Sequence, residues 1–258
     1  LRLLGLRRFA AGAGFVLRGC TLRADADRLR GRRRSRAILD ELLGQQLARM
    51  NRIQRGEREA GRDLYGPGDY WIYNNWDFNL LGVIYRDHIA PDVGAEFARQ
   101  IASPLGMEDY QPSDFEWREE EVSPHPAYAF DFSARDLARY GLLWLRRGDW
   151  AGRRILDADW IDRSTRVVSA ETAKGVAYGW QWWIQPPGKS KIVPEGYYYA
   201  DGAGTQFIWI VPSRDLVIVH ASKTSAMVVR DRLGLLPDEE VAWNEFAEIV
   251  QAAPRPTP

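Results

Sequence analysis

The chain has 258 residues, enough for one large domain or two small ones with a substantial core. At 45% hydrophobic and 27% charged it is globular in composition, and a formal net charge of +0 gives no global pull toward nucleic acid or anionic membranes. One cysteine, Cys20, excludes an internal disulfide and a Cys-based zinc site, and His88, His125 and His220 lack the i, i+4 spacing of a helical metal site, so neither metal nor cofactor is expected.

The neutral total hides two kinds of sequence. Residues 1–62 hold 16 Arg, no Lys and 6 acidic residues, whereas the other 196 hold 19 basic and 29 acidic ones. Aromatics divide at the same place: only Phe9 and Phe15 precede residue 63, and all 11 Trp and 11 Tyr follow it. Three parts are therefore expected: an Arg-rich segment over 1–62, a folded domain over 63–253 and a Pro-rich frayed tail over 254–258.

The first residue is Leu1. Arg2, Arg7 and Arg8 precede an apolar run from Phe9 to Leu17, and Cys20 follows. That order resembles an export signal, although Arg18 sits where a lipoprotein signal has a small residue, so cytoplasm and export both stay open. The run is too short for a transmembrane segment, which needs about 20 residues. Arg28 to Arg36 is a dense basic block without interleaved aromatics, which reads as a solvated segment in preference to a nucleic-acid arm. Spacing over 37–53 predicts an amphipathic helix.

From residue 63 onward, Gly66-Pro67-Gly68 predicts a turn and Tyr70–Tyr73 a short extended segment. Helices are predicted on Leu80, Leu81, Ile84 and His88, then on Phe97, Ile101 and Leu105. Ser133 with Asp136 reads as a capping box that opens a helix through Leu137, Tyr140, Trp144 and Leu145, ended by Gly148. Asp157–Arg163 reads as a short helix. Strands follow over 178–184, 197–200, 206–211 and 216–220, with Pro212–Asp215 as a hairpin turn, and Glu239–Ala252 closes the chain as an amphipathic helix. This order predicts an α+β fold with an antiparallel sheet packed by helices.

Several segments, in this order, resemble the serine β-lactamase and penicillin-binding-protein superfamily, in particular its esterase-like and 6-aminohexanoate-oligomer-hydrolase-like branch. They run from Pro67–Gly82 through Ile101–Met107, Ser123–Tyr128, Ser133–Gly141, Tyr178–Trp183 and Asp201–Gln206 to Val211–Val217, covering most of 63–225. The resemblance implies a β-lactamase-like sheet, incomplete at its N-terminal part, and hydrolysis of a small-molecule amide or ester. No nucleic acid is implied as partner. It also assigns roles. In the family a Ser-x-x-Lys helix carries the nucleophile, a Tyr-x-Asn motif shuttles the proton and orients substrate, and a Gly-rich strand supplies an oxyanion-hole N–H.

Tyr73-Asn74-Asn75 matches the second motif, which makes Tyr73 and Asn75 the candidate catalytic residues. Taken alone, the pattern also fits a buried aromatic followed by a helix-capping Asn. Gly204, Thr205 and Gln206 match the third motif in part and are the candidate oxyanion and substrate-binding residues. There Ala203 stands in place of a cation or imidazole and Thr205 in place of a Gly, so an ordinary strand start fits too. If both motifs serve one carbonyl, they converge to within about 10 Å in the principal cleft.

The first motif is absent. None of the 11 serines has Lys three residues later, and all four lysines (Lys174, Lys189, Lys191 and Lys223) follow the Tyr motif. The Arg-rich opening stretch is what a GC-rich gene read out of frame yields, so the chain is expected to be a truncated or degenerate hydrolase, inactive or very weak. A non-catalytic module that binds a ligand or cell-wall fragment on the same fold is the alternative. Self-association is expected from an incomplete sheet that leaves an edge and an apolar helix face uncovered.

Overall fold

The computed structural model describes residues 73, 75–119, 125–168, 175–222 and 239–254. The Arg-rich segment, the helix over 37–53, the Gly66–Gly68 turn and residues 70–72 lie outside them. So does the tail beyond Pro254.

Helix α1 (Asn75–His88) is followed by a helical run of three parts: α2 (Val93–Phe97), a π turn over Ala98–Ala102, and α3 (Ser103–Leu105). Gly106 ends that run with φ +65°, a conformation that glycine adopts without Cβ strain, and its N–H donates to the Ser103 carbonyl at 3.1 Å. A hairpin of β1 (Phe115–Arg118) and β2 (Ala127–Phe130) packs beside α1. Gly82 makes that approach possible, because a Cβ there would stand 2.5 Å from Cε1 of Tyr128.

Helix α4 (Ala134–Leu145) begins at Ser133, whose Oγ accepts from the Asp136 N–H at 3.2 Å. Half of the expected capping box is present. The Asp136 carboxylate turns away from the helix start and accepts the N–H groups of Glu108, Asp109 and Tyr110 at 3.1, 3.1 and 3.0 Å, with Arg139 at 3.0 Å. Four converging donors outweigh the single N–H that a capping box offers. A two-residue hairpin, β3 (Asp149–Trp150) with β4 (Arg153–Arg154), leads to α5 (Ala158–Ser164), which Asp157 caps.

The sheet is five-stranded and antiparallel in the order β5 (Ala177–Tyr178), β6 (Trp183–Gln185), β7 (Tyr197–Gly202), β8 (Gln206–Val211), β9 (Leu216–His220). Its side chains alternate between two cores, as the period of a strand requires. Phe207, Trp209 and Val211 face α6 (Glu239–Ala252) and its Ala242, Phe246 and Val250. Ile208 and Ile210 face the other way, with Trp144 of α4, Ile161 of α5, Trp182 and Tyr198. Fully burying an Ile, Val or Phe side chain here is worth about 1.5–3 kcal/mol before the entropy of ordering it. Mixed helices around an antiparallel sheet make the fold α+β. Among the described residues no helix is long and apolar enough to cross a membrane.

Candidate active site

Tyr73 precedes α1, half-buried among aromatics. Its ring stacks on Trp183 of β6 at 5.5 Å between centroids and 18° between planes, with Phe78 at 5.3 Å and Tyr178 edge-on at 6.4 Å. Burial raises its pKa above the usual phenol value, and the Asp201 carboxylate and the Tyr128 phenol push it the same way. Tyr73 is therefore a neutral phenol at neutral pH. Asn75 is the first residue of α1 and is half-buried. Asn79, one turn further along, is buried and donates to the His125 carbonyl at 3.2 Å.

The other candidate segment lies beyond Asp201, where β7 turns into β8. Gly202 and Gln206 oppose each other in the ladder, so Ala203, Gly204 and Thr205 form the connection. Thr205 has φ +57°, is 7% exposed, and its Oγ1 donates to the Gly204 carbonyl at 2.7 Å. Its side chain thus turns inward and does not project at a substrate. The end of β9 fastens this turn at three points. The Ser222 hydroxyl donates to the Gly204 carbonyl. The Gln206 carboxamide pairs with the Ser222 backbone, donating to its carbonyl at 2.7 Å and accepting its N–H at 3.1 Å. His220 Nδ1 lies 2.6 Å from the Thr205 carbonyl, and because a carbonyl only accepts, Nδ1 carries the proton. His220 Nε2 faces Glu245 of α6 at 3.8 Å.

Thr205 is packed inward and the Gln206 amide is bonded within the fold, which leaves the backbone of this turn as the part that could face a substrate. Strand β7 runs between the two segments: Tyr73 stacks on Trp183, whose ladder partner Tyr199 stands two residues before Asp201. A cavity of about 650 Å³ lies to one side, between α1, the α2 run and the β1–β2 hairpin, with Ile155, Leu156 and Gln181 on its far wall. None of the five candidates lines it. Tyr128 does, and Tyr128 also acts on both Tyr73 and Tyr178. Nothing in the sequence marks Tyr128 or Asp201 beyond their places in Ser123–Tyr128 and Asp201–Gln206, two of the segments that carry the family resemblance. Among the described residues no three His, Cys, Asp or Glu side chains cluster as a metal site.

No curated protein sequence matches the chain. Among solved structures, the fold is similar to a protein from Bacillus anthracis that carries the provisional name 6-aminohexanoate-dimer hydrolase. The TM-score is 0.52 and the identity 22%, over 74% of this chain and 47% of that one. The chain thus spans about half the length of that protein. The family model for beta-lactamase matches residues 45–236, a longer stretch than the motifs between 63 and 225. Matched over that much of its length, with helices on both faces of an antiparallel sheet, the chain belongs to the β-lactamase family.

Proposed function

We propose that residues 63–253 form a β-lactamase-type hydrolase domain that keeps a site for small amides or esters but turns them over very weakly or not at all. The environment of Tyr73 carries this reading. Burial, Asp201 and Tyr128 all hold the phenol neutral. Such a phenol can donate a hydrogen bond to a carbonyl, but it is a poor acceptor for a serine proton near pH 7. The sequence has no Ser-x-x-Lys pair to generate an activated nucleophile. Loss of a serine hydrolase's nucleophile costs about 10⁶ in turnover and leaves weak acceleration from binding and oxyanion contacts.

The chain is expected to give no burst from a nitrophenyl acyl ester. Intact mass should show no adduct with a fluorophosphonate or a β-lactam. Stoichiometric labelling of any serine overturns the reading and identifies the nucleophile. Frame disruption within the Arg-rich opening stretch would account for the missing pair. If no upstream frame of the coding DNA encodes a Ser-x-x-Lys helix, frame disruption is refuted.

The aromatic enclosure of Tyr73 by Phe78, Tyr178 and Trp183 favours a second reading, a binding module without catalysis. Thermal stabilisation by a ligand, with no covalent adduct and no turnover, is its signature. Self-association accompanies both readings. Leu80, Leu81 and Ile84 of α1 and Ile89 just after it are exposed, and β9 is an edge strand among the described residues. The elution volume on a sizing column is expected to shift with loading concentration.

A further inference from the structure

The cavity between α1, the α2 run and the β1–β2 hairpin has walls that select one class of occupant. Its volume of about 650 Å³ suits a drug-sized molecule. Helix α1 contributes Leu81 and Tyr85, the turn after it contributes Ile89, and the hairpin contributes Phe115, Trp117 and Tyr128. Among the described residues on its wall Glu96 is the one that is charged, and it is already engaged: Arg99 donates to it at 2.7 Å and Gln100 at 3.0 Å. The nearby cation on α1 is also engaged, because Arg86 lies over the Trp117 ring at 5.1 Å and pairs with Asp87 at 2.7 Å. An ionised carboxylate entering this space would leave water for an apolar wall that offers one carboxylate and no uncommitted cation on the described lining. An alkyl or aryl group would gain by the same transfer.

Tyr128 joins this cavity to the candidate site. Its ring is on the cavity wall against Gly82, and Phe78, one turn earlier on the same helix, packs on the Tyr73 ring at 5.3 Å. Gly82 keeps the ring in place by leaving no Cβ against it. We propose that the cavity is the apolar subsite of the candidate site. It takes the uncharged alkyl or aryl part of an amide or ester whose carbonyl lies past Tyr128 toward Tyr73, and it rejects acyl groups that end in a carboxylate. The proposal rests on the assignment of Tyr73 to a substrate site.

Calorimetric titration with N-phenyloctanamide and with its ω-carboxylate analogue, 8-anilino-8-oxooctanoate, tests it. The neutral anilide is expected to bind at least about tenfold more tightly than the carboxylate. Ile89→Arg, at a position that is 67% exposed and so tolerant of charge, is expected to shrink that ratio by about threefold or more. Tyr73→Phe is expected to weaken the anilide by about threefold or more by removing the donor for its carbonyl. Circular dichroism of each variant establishes that it is folded.

Equal affinity for the two probes, or no binding of either, overturns the proposal. So does sedimentation showing a second copy on this face that the anilide does not displace. Charge discrimination that survives while Tyr73→Phe changes nothing removes the Tyr73 assignment and with it the joint site. Lost discrimination with Tyr73→Phe still weakening the anilide removes the apolar subsite alone.

Discussion

Asp136 is the side chain on which the helical part of the fold most depends. Its carboxylate is 0% exposed and collects the N–H groups of Glu108, Asp109 and Tyr110 together with Arg139. It fixes the start of α4 to the stretch that follows α3. A hydrogen bond to a charged group contributes about 1.5–3 kcal/mol, and removing one partner from a buried charged network costs about 3–5 kcal/mol. Asp136→Ala is therefore expected to lose about 3–5 kcal/mol, a large part of the 5–15 kcal/mol typical of a domain. Asp136→Asn keeps the shape but not the chemistry. One oxygen serves Glu108 and Arg139 and the other serves Asp109 and Tyr110, so either placement of the amide sets an NH₂ against two donors. Its cost is expected to be about 2–4 kcal/mol. Urea denaturation followed by far-UV circular dichroism measures both. Asp159→Asn, whose side chain is 75% exposed and pairs with Arg163, is the control and is expected to cost less than about 1 kcal/mol. A loss below about 1 kcal/mol for Asp136→Asn would refute the reasoning, because the buried donors would then have found other partners.

Gly141→Ala would place a Cβ 2.6 Å from Cγ1 of Val217 and 2.9 Å from Cγ2 of Ile208, so overpacking of α4 on the sheet is expected to cost about 1–3 kcal/mol by urea denaturation. Gln181 is exposed with φ +64°, and Gln181→Gly is expected to stabilise by about 0.5–1 kcal/mol, read as a raised urea midpoint. Asp109, Asp162 and Asp215 have pKa values below the ordinary 3.8, held there by hydrogen bonds from Ser133 and Arg135, from Arg147 and from Arg146 respectively. Their contribution is complete above 3.8 and is lost as pH falls through their lowered folded values. Glu245 runs the other way: burial raises it above 4.5, so acidification from its raised value down to 4.5 is expected to increase stability, a gain that Glu245→Gln abolishes in urea midpoints measured against pH.

The sheet was legible because its strands carry a period of two on both faces. Phe207, Trp209 and Val211 alternate with Ile208 and Ile210, and a helix covers each side. The same rule sorts the Trp cluster: Trp182 is 5% exposed against α4, Trp183 stacks on Tyr73 from the opposite face, and Trp180 projects from the turn between. The β1–β2 hairpin escaped because each strand has four residues and no Asn-Gly or Asp-Gly turn marks it. The partners of Asp136 escaped for another reason. The Ser-x-x-Asp spacing is local information, whereas three backbone donors 26 to 28 residues away become neighbours only through folding.

The candidate site shows the same divide between residue type and environment. Tyr73, Asn75 and Gly204–Gln206 can be picked from sequence because a motif fixes their identity and order. Their state cannot, because it is set by Trp183, Asp201, Tyr128 and the end of β9. Those neighbours bear unequally on the chemistry. His220 and Ser222 hold the Gly204 and Thr205 carbonyls in a rigid turn, an arrangement suited to a preorganised backbone donor. The acidic and phenolic groups around Tyr73 favour its neutral form, the opposite of what a proton-accepting phenol needs. An ammonium group near Tyr73 would offset Asp201 and lower the phenol's pKa, as an opposite charge within about 4–6 Å does. On the proposed reading, the absence of a Ser-x-x-Lys pair from the sequence and the neutral state of Tyr73 both point to weak turnover.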